Sequence, residues 1–245
     1  GRRPAFLSEH YRRLGRSLEM LEIPCPLSEE RFGAIVRELL DRTAFEDGIV
    51  YVQISRGEAP RAHFWPEDVA PTIVAYSRAF RFPDAAKKER GIRVVTTDDH
   101  RWHFCSVKSV NLLGNAMAKK RAQRAGADEA LLVAGGVVRE GASSNFFAVR
   151  DGSLITHPLD DAILPGVVRD RVIALALAAH IRVDERPLRD TELFDLDEAF
   201  ITSTTQGVMP IAEIDGRAIG NSRRGEVTTR LQEAFDELER RGTAV

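Results

Sequence analysis

The sequence predicts an α+β fold in two domains, and three observations point there. Strand-type and helix-type segments mix along the chain without the regular β–α–β alternation that a doubly wound parallel sheet requires. The strand segments are short, and one pair is joined by Arg150-Asp151-Gly152, whose Asp-Gly step is a strong hairpin signal. A charged, irregular stretch with Pro83 and the pair Lys87-Lys88 interrupts the chain between Arg78 and Arg90, and its later part reads as an interdomain linker.

Each element has its local reason. Leu14, Leu18 and Leu21 recur at helical spacing from Ser8 to about Leu21, and Pro24 and Pro26 end that helix. Ser28 is an N-cap type residue, with Glu29 and Glu30 following in the first turn, where the helix dipole favours acids. Gly48 to Ser55 alternates Val50, Val52 and Ile54 against Tyr51, Gln53 and Ser55, the pattern of a half-buried strand. After a polar loop over 56–67 a second strand is expected at Thr72 to Tyr76. Further strands are expected at Ile92 to Thr96, Ala130 to Val133, Val137 to Glu140, Asn145 to Val149, Ser153 to Thr156 and Ala199 to Ile201. Helices are expected from about Asn115 to Arg124, after Pro165-Gly166, and at the end of the chain, where Val227, Leu231, Phe235 and Leu238 make an apolar stripe.

Composition narrows the function. Lys and Arg total 35 against 37 acidic residues, with no basic block, which excludes a nucleic-acid footprint or a polybasic membrane patch. At 43% hydrophobic and 29% charged, the chain resembles an ordinary globular protein. Its apolar runs are far too short to span a bilayer, and no leader pattern opens it. Cys25 and Cys105 give neither a disulfide framework nor metal spacing, so no metal site is expected and a cytoplasmic setting fits. The chain opens at Gly1-Arg2-Arg3-Pro4 without a methionine, and the expectation is that its first segment is not included.

Several residues carry candidate chemistry. Lys108 has no charged neighbour within several residues, whereas the other lysines (Lys87, Lys88, Lys119, Lys120) come in pairs. Held among apolar residues, its amine would be desolvated and made a competent nucleophile toward a carbonyl; a solvated lysine beside a strand is the alternative. Glu140-Gly141-Ala142-Ser143-Ser144-Asn145 places a carboxylate at a strand end before small and hydroxyl residues, suited to a cationic ring nitrogen, or forms a plain turn. Leu164-Pro165-Gly166-Val167-Val168 opens a helix whose N-terminus would suit a phosphate, though it is equally ordinary helix-start grammar. Thr202-Ser203-Thr204-Thr205 clusters hydroxyls at a strand end, as a second wall of a phosphate cup would. Arg61 and His63, on the loop after the first strand, either grip a carboxylate or are solvated.

Taken together, in this order and spacing, these segments resemble the fold-type IV pyridoxal-phosphate enzymes, and within them the D-amino acid aminotransferases. The resemblance runs from about Phe6 to Phe235. It rests on Tyr51 to Gly57 with Pro60-Arg61-Ala62-His63, Lys108 to Gly114, Glu140 to Asn145, Thr156-His157-Pro158, Ile163 to Gly166 and Thr202 to Thr205. It implies a small α+β domain at 1–80, lacking its N-terminal strands, a linker at 81–90, and a large cofactor-binding domain at 91–245. Lys108 matches the Schiff-base lysine that also shuttles the substrate proton, and Glu140 the acid that pairs with the ring nitrogen. Arg13, Val167, Val168, Ser203 and Thr204 match the phosphate site, Ser143 a further cofactor contact, and Leu164 the residue packed on the ring. Arg61 and His63, with Thr205, match the substrate site of the D-specific branch, the first two reached across a homodimer interface.

The implied activity is transamination of D-alanine or D-glutamate with a 2-oxo acid. Branched-chain L-aminotransferase, aminodeoxychorismate lyase and an inactive truncated homologue are the alternatives. Two departures from the family pattern stand out. Val168 occupies a position that usually carries threonine, which leaves only its backbone N–H for phosphate and costs about one hydrogen bond, ~1 kcal/mol. A tyrosine from the expected N-terminal segment, which would complete the carboxylate site, has no counterpart in the sequence.

Overall fold

In the computed structural model, residues 3–241 are described; Gly1 and Arg2 of the chain's opening, and residues 242–245 of the expected large domain, lie outside the described residues. The chain divides into two units, one ending at Phe82 and the other comprising Pro83–Arg241.

The first unit contains α1 (Leu7–Met20), α2 (Glu29–Asp41), β1 (Gly48–Ser55) and β2 (Thr72–Ala79). The Ser28 hydroxyl accepts the Arg31 N–H at 3.2 Å and so caps α2 as its sequence predicts. β1 and β2 pair antiparallel along their whole length, and this carries β2 beyond the expected Tyr76 to Ala79. The alternation of β1 sorts its two faces. Val50, Val52 and Ile54 pack with Ile73 against Leu27, Phe32 and Val36, while Tyr51 stacks on its register partner Tyr76 at 5.1 Å on the other face.

The second unit opens with α3 (Ala85–Arg90), so the segment expected to be irregular is helical. Asp84 caps it by accepting the Lys87 N–H at 2.8 Å, an N-cap signal that the flanking Pro83 and the charges obscured. Then follow β3 (Ile92–Asp98), α4 (Leu113–Arg124), β4 (Glu129–Ala134), β5 (Val137–Gly141), β6 (Asn145–Arg150), β7 (Ser153–Thr156), α5 (Val167–Ala178), β8 (Val183–Glu185) and β9 (Leu188–Arg189). A 3₁₀ turn at Asp190–Asp195 precedes β10 (Glu198–Ser203), β11 (Gly207–Ile214), β12 (Arg217–Ala218) and α6 (Glu226–Arg241).

The strands form one mixed sheet in the order β8-β7-β6-β10-β11-β3-β4-β5-β9, with β12 attached to β11. Parallel pairs (β7–β8, β11–β3 and β3–β4) sit among antiparallel ones, and this is the α+β architecture the sequence predicts. The β6–β7 hairpin turns on Asp151 and Gly152, both with positive φ (49° and 69°), which an Asp-Gly step tolerates. β11 escapes sequence reading because Pro210 stands in its middle, where a ladder N–H is normally needed. The register with β3 shifts just beyond it.

β6 is buried on both faces. Phe146 and Ala148 join Ile92, Leu131, Ile201 and Met209 in one core cluster. Phe147 points the other way and stacks on its cross-strand partner Phe200, centroids 4.9 Å apart, with both rings fully buried. Among the described residues, no helix is long and apolar enough to cross a membrane.

Truncating one ring of that stack leaves a cavity that a close-packed sheet cannot collapse around. Phe147→Ala should lower the stability of the second unit by roughly 3–5 kcal/mol in urea unfolding. A loss under about 1 kcal/mol would show that the stack is not a structural keystone.

Candidate active site

The second unit's site is built around Glu140, near the end of β5 and 3% exposed. Its Oε1 accepts from Arg101 Nη1 at 2.5 Å and its Oε2 from Asn145 Nδ2 at 2.9 Å. The Leu164 N–H is shared between the two oxygens at 3.2 and 3.1 Å. Arg101 is equally engaged. Its Nε and Nη2 donate to Asp99 at 3.0 and 2.8 Å, and Nη2 also reaches the Ala162 carbonyl at 3.0 Å.

Burial dominates the electrostatics. It lifts the Glu140 carboxyl up to about 7, although the charge and hydrogen bond of Arg101 and the Leu164 N–H all pull it down. Burial also pushes Asp99 upward, but there the hydrogen bond and charge of Arg101 win and hold it below its ordinary value. Burial works against the Arg101 cation too, yet the two carboxylates hold its proton more tightly than usual.

Lys108 lies on the connection between β3 and α4, which is pinned on both sides of it. Arg101 fastens one end to Glu140. The Cys105 N–H and Ser106 Oγ donate to the Asp161 carbonyl and carboxylate at 2.8 and 2.6 Å. Beyond Lys108, Asn115 Nδ2 donates to the Ala142 carbonyl at 2.8 Å, tying α4 to the loop after Glu140. Lys108 is exposed as a residue, although the connection on either side of it is pinned. Of its apolar neighbours, Val110, Leu112 and Leu113 are exposed, whereas Cys105 and Val107 are buried.

The phosphate-type elements converge through the sheet. α5 begins after Gly166, which supplies no side-chain cap, so the helix presents its free N–H end through the buried Val167 and Val168. A Cβ on Gly166 would overlap Asn145 Oδ1, so only glycine permits this close approach. Asn145 pairs in register with Thr202 across β6 and β10, and Ser203 follows at the strand end. The hydroxyls of Thr202 and Ser203 are buried and have no hydrogen-bond partner. Thr204 and Thr205 lie in the tight turn to β11, closed by the Gln206 N–H on the Ser203 carbonyl at 3.3 Å.

Ser143 is placed differently from a free hydroxyl donor. It is exposed at its turn, but its Oγ donates to Glu129 Oε2 at 3.0 Å, beside Ser144 Oγ on the same oxygen at 3.2 Å. Glu129, 1% exposed, thereby supports the turn from below. Leu164 is half-buried, with its N–H on Glu140 and its carbonyl accepting from Asn145 at 2.8 Å.

The remaining expected residues belong to the first unit. Arg13 is buried on α1, with Nη2 3.3 Å from His10 Nδ1. Arg61 and His63 are exposed on the irregular loop between β1 and β2. That loop has a closed neck: Arg56 stacks over Trp65 at 4.6 Å, and Gly57, with φ at 125°, lies against the backbone of Ala70.

Sequence reasoning missed Arg101, Asp99 and Glu129, and it quoted Asn145 without a role. The available signal was Asp98-Asp99-His100-Arg101, a charge cluster directly after an apolar strand. Its partners, Glu140 and Ala162, are too distant along the chain for any local pattern to reveal.

The donor set fits pyridoxal phosphate. An uncapped helix start beside the unpartnered Ser203 hydroxyl suits a dianionic phosphate, and a buried carboxylate suits a cationic ring nitrogen. Comparison with known proteins agrees. The Amino-transferase class IV family pattern matches residues 1–214. A D-alanine aminotransferase from Bacillus licheniformis is 38% identical over 229 residues, covering 94% of this chain and 81% of that one. Among solved structures, the Escherichia coli branched-chain amino acid aminotransferase superposes with a TM-score of 0.90 at 26% identity, over 96% of this chain and 80% of that one. The branched-chain amino acid aminotransferase from Thermobaculum terrenum, in its PLP-bound holo form, gives 0.84 at 27% identity, over 95% and 78%.

The raised Glu140 carboxyl has a measurable consequence. Between its ordinary value of 4.5 and about 7, the folded chain holds a proton that the unfolded chain has lost. The contribution of Glu140 to stability therefore falls as pH rises through that window. In urea unfolding of the cofactor-free protein, the stability of Glu140→Gln relative to wild type should climb from pH 4.5 to 7.5, by at most roughly 3 kcal/mol. A difference independent of pH would contradict this electrostatic picture.

Proposed function

The chain belongs to the class IV amino-transferases, and from that premise we propose that it transaminates D-amino acids of the D-alanine or D-glutamate type with a 2-oxo acid acceptor. It is a pyridoxal-phosphate-dependent aminotransferase. The observation that carries the D-specific reading is the identity of 38% over 94% of the chain to a D-alanine aminotransferase, against 26% and 27% to the branched-chain structures. Arg61-Ala62-His63 supports it: an exposed guanidinium fork with an imidazole two residues on is suited to a substrate carboxylate.

When bound, pyridoxal phosphate supplies an electron sink that acidifies the Cα–H of the amino acid. The chain's residues do the rest. Glu140 would hold the charge that keeps a proton on the ring nitrogen, and Leu164 would pack against the ring. The N–H groups of Val167 and Val168 and the hydroxyls of Ser203 and Thr204 would hold the phosphate, with Ser143 supporting from the turn after Glu140. Lys108 Nζ removes the proton from the substrate Cα and delivers it on the other side of the amino transfer. Thr205, with Arg61 and His63 contributed to a second copy in a homodimer, holds the substrate carboxylate.

A branched-chain L-aminotransferase is the competing reading, favoured by the TM-score of 0.90. Half-reactions separate the two. D-alanine should bleach the visible absorption of the bound cofactor at least tenfold faster than L-alanine or L-leucine, and the reverse order would establish the L-specific reading. Lys108→Ala should lose roughly 10²–10⁴-fold in turnover, the usual worth of a positioned proton-transfer group; a variant within a few-fold of wild type would remove Lys108 from that role.

The carboxylate grip has its own test. Arg61→Ala should raise KM for D-alanine roughly tenfold or more, as expected for one charge-assisted hydrogen bond, while the cofactor spectrum stays unchanged. An unaltered KM would place the substrate carboxylate elsewhere.

A further inference from the structure

Glu140 and Asp99 face one another across a single guanidinium. With all three ionised, the buried cluster of Asp99, Arg101 and Glu140 carries one formal negative charge, and side-chain exposures at Arg101 and Glu140 are only 5% and 4%. Such a charge is costly in a medium of low polarity unless something neutralises it. A group presenting one positive charge to Glu140 would do so, and the ring nitrogen assigned to Glu140 under the proposed function is such a group when protonated.

We infer that Arg101 is a positioning residue for the proposed transamination: it holds Glu140 as a charged carboxylate in one orientation, and so fixes the proton on the cofactor's ring nitrogen. This inference rests on the reading of the protein as a pyridoxal-phosphate aminotransferase with Glu140 at the ring. Its geometric support is the use Arg101 makes of its planar fork. Nε and Nη2 lie along the Asp99 carboxylate, Nη2 also meets the Ala162 carbonyl, and Nη1 is left for Glu140.

Asp99 is itself anchored, since its N–H donates to the Val133 carbonyl of β4 at 2.8 Å and the Arg101 N–H returns to its Oδ1 at 3.0 Å. The guanidinium therefore cannot swing away from Glu140 without breaking bonds at its other edge. Lysine brings the same charge but not this fork. Further charged or titratable groups near the cluster among the described residues include Cys105, whose thiol burial pushes up to about 11, and Arg139, which pairs with Asp160 at 3.8 Å. Burial drives Glu140 toward its neutral form, and Arg101 opposes that drive with both charge and hydrogen bond.

The experiment is a pH titration of the Glu140 side-chain carboxyl by ¹³C NMR in the cofactor-free protein, with Glu140→Gln assigning the resonance. Removing the positive charge in Arg101→Gln should raise the Glu140 midpoint to a pH at which the proton concentration is at least tenfold lower, and Arg101→Lys, which keeps the charge without the fork, should recover only part of that shift. In the loaded protein, Arg101→Gln should displace the pH at which the cofactor absorption changes and lower kcat for D-alanine at least tenfold, with KM held within about threefold.

A midpoint that stays in place in Arg101→Gln, or a rise in KM with kcat intact, would overturn the role. If Arg101→Gln does not fold, Arg101→Lys decides alone: an unchanged spectrum and kcat would overturn the role, and a displaced spectrum with lowered kcat would support it. A wild-type protein that binds pyridoxal phosphate but ignores D-alanine would defeat the substrate reading and leave the carboxyl titration standing. An unmoved titration would defeat the role of Arg101 whatever the substrate.

Discussion

A carboxylate taken almost wholly out of water has to be satisfied by protein donors, and the burial of Glu140 places that demand on segments far apart in sequence. Arg101 comes from the connection after β3, Asn145 from the start of β6, and Leu164 from the approach to α5. The sheet order explains how they meet. β3, β4 and β5 are neighbours, and their registers set Asp98 at the end of β3 level with Val133 of β4 and Val138 of β5, two residues before Glu140, while the short turn between β5 and β6 returns Asn145 beside the same carboxylate. Leu164 then joins the start of α5 to this cluster. The buried carboxylate and the start of α5 are in this way fixed in one frame.

Asn145 links the two ends of that frame. Its amide donates to Glu140 and to the Leu164 carbonyl, while its Oδ1 lies where a side chain at residue 166 would have to go. Gly166 is required by proximity here, since its φ of −74° is open to any residue. The phosphate-type donors that result come largely from backbone N–H groups, whose position depends on the helix axis more than on side-chain identity. That is why valine in place of the threonine that the resemblance implies at residue 168 removes a single side-chain donor and leaves the helix terminus in place.

Local chemistry was legible in the sequence and long-range chemistry was not. The Ser28 cap, the Asp151-Gly152 turn and the alternation of β1 are each decided within a few residues, and each appears in the structure. β11 was hidden by Pro210, which stands in register opposite Phe200 of β10 although it offers no ladder N–H. The helix at Ala85–Arg90 was hidden by the composition around it, although Asp84 carries its cap. Glu140 could be singled out because a carboxylate at a strand end before Gly, Ala and Ser is an unusual local pattern. Arg101 could not, since arginine is abundant in this chain and its partners are set by strand order. The sequence left the exposure of Lys108 open, because its apolar neighbours divide: Cys105 and Val107 are buried, while Val110, Leu112 and Leu113 are exposed.

The two kinds of expected site residue rest on different physical foundations. Glu140, Leu164, Val167, Val168 and Ser203 are held by a sheet and a helix start, where a substitution disturbs buried ion pairs or close backbone contacts and costs several kcal/mol. Arg61 and His63 sit on an exposed, irregular loop whose neck alone is fixed, by Arg56 on Trp65 and Gly57 on Ala70. Exposed loop residues exchange at little cost to stability, so a substrate grip placed there is free to change while the cofactor frame stays constant. A D-alanine aminotransferase at 38% identity and branched-chain aminotransferases at 26% and 27% therefore share one framework with this chain. The overall superposition reports the framework and not the side chains on the exposed loop between β1 and β2, where the proposed substrate grip lies.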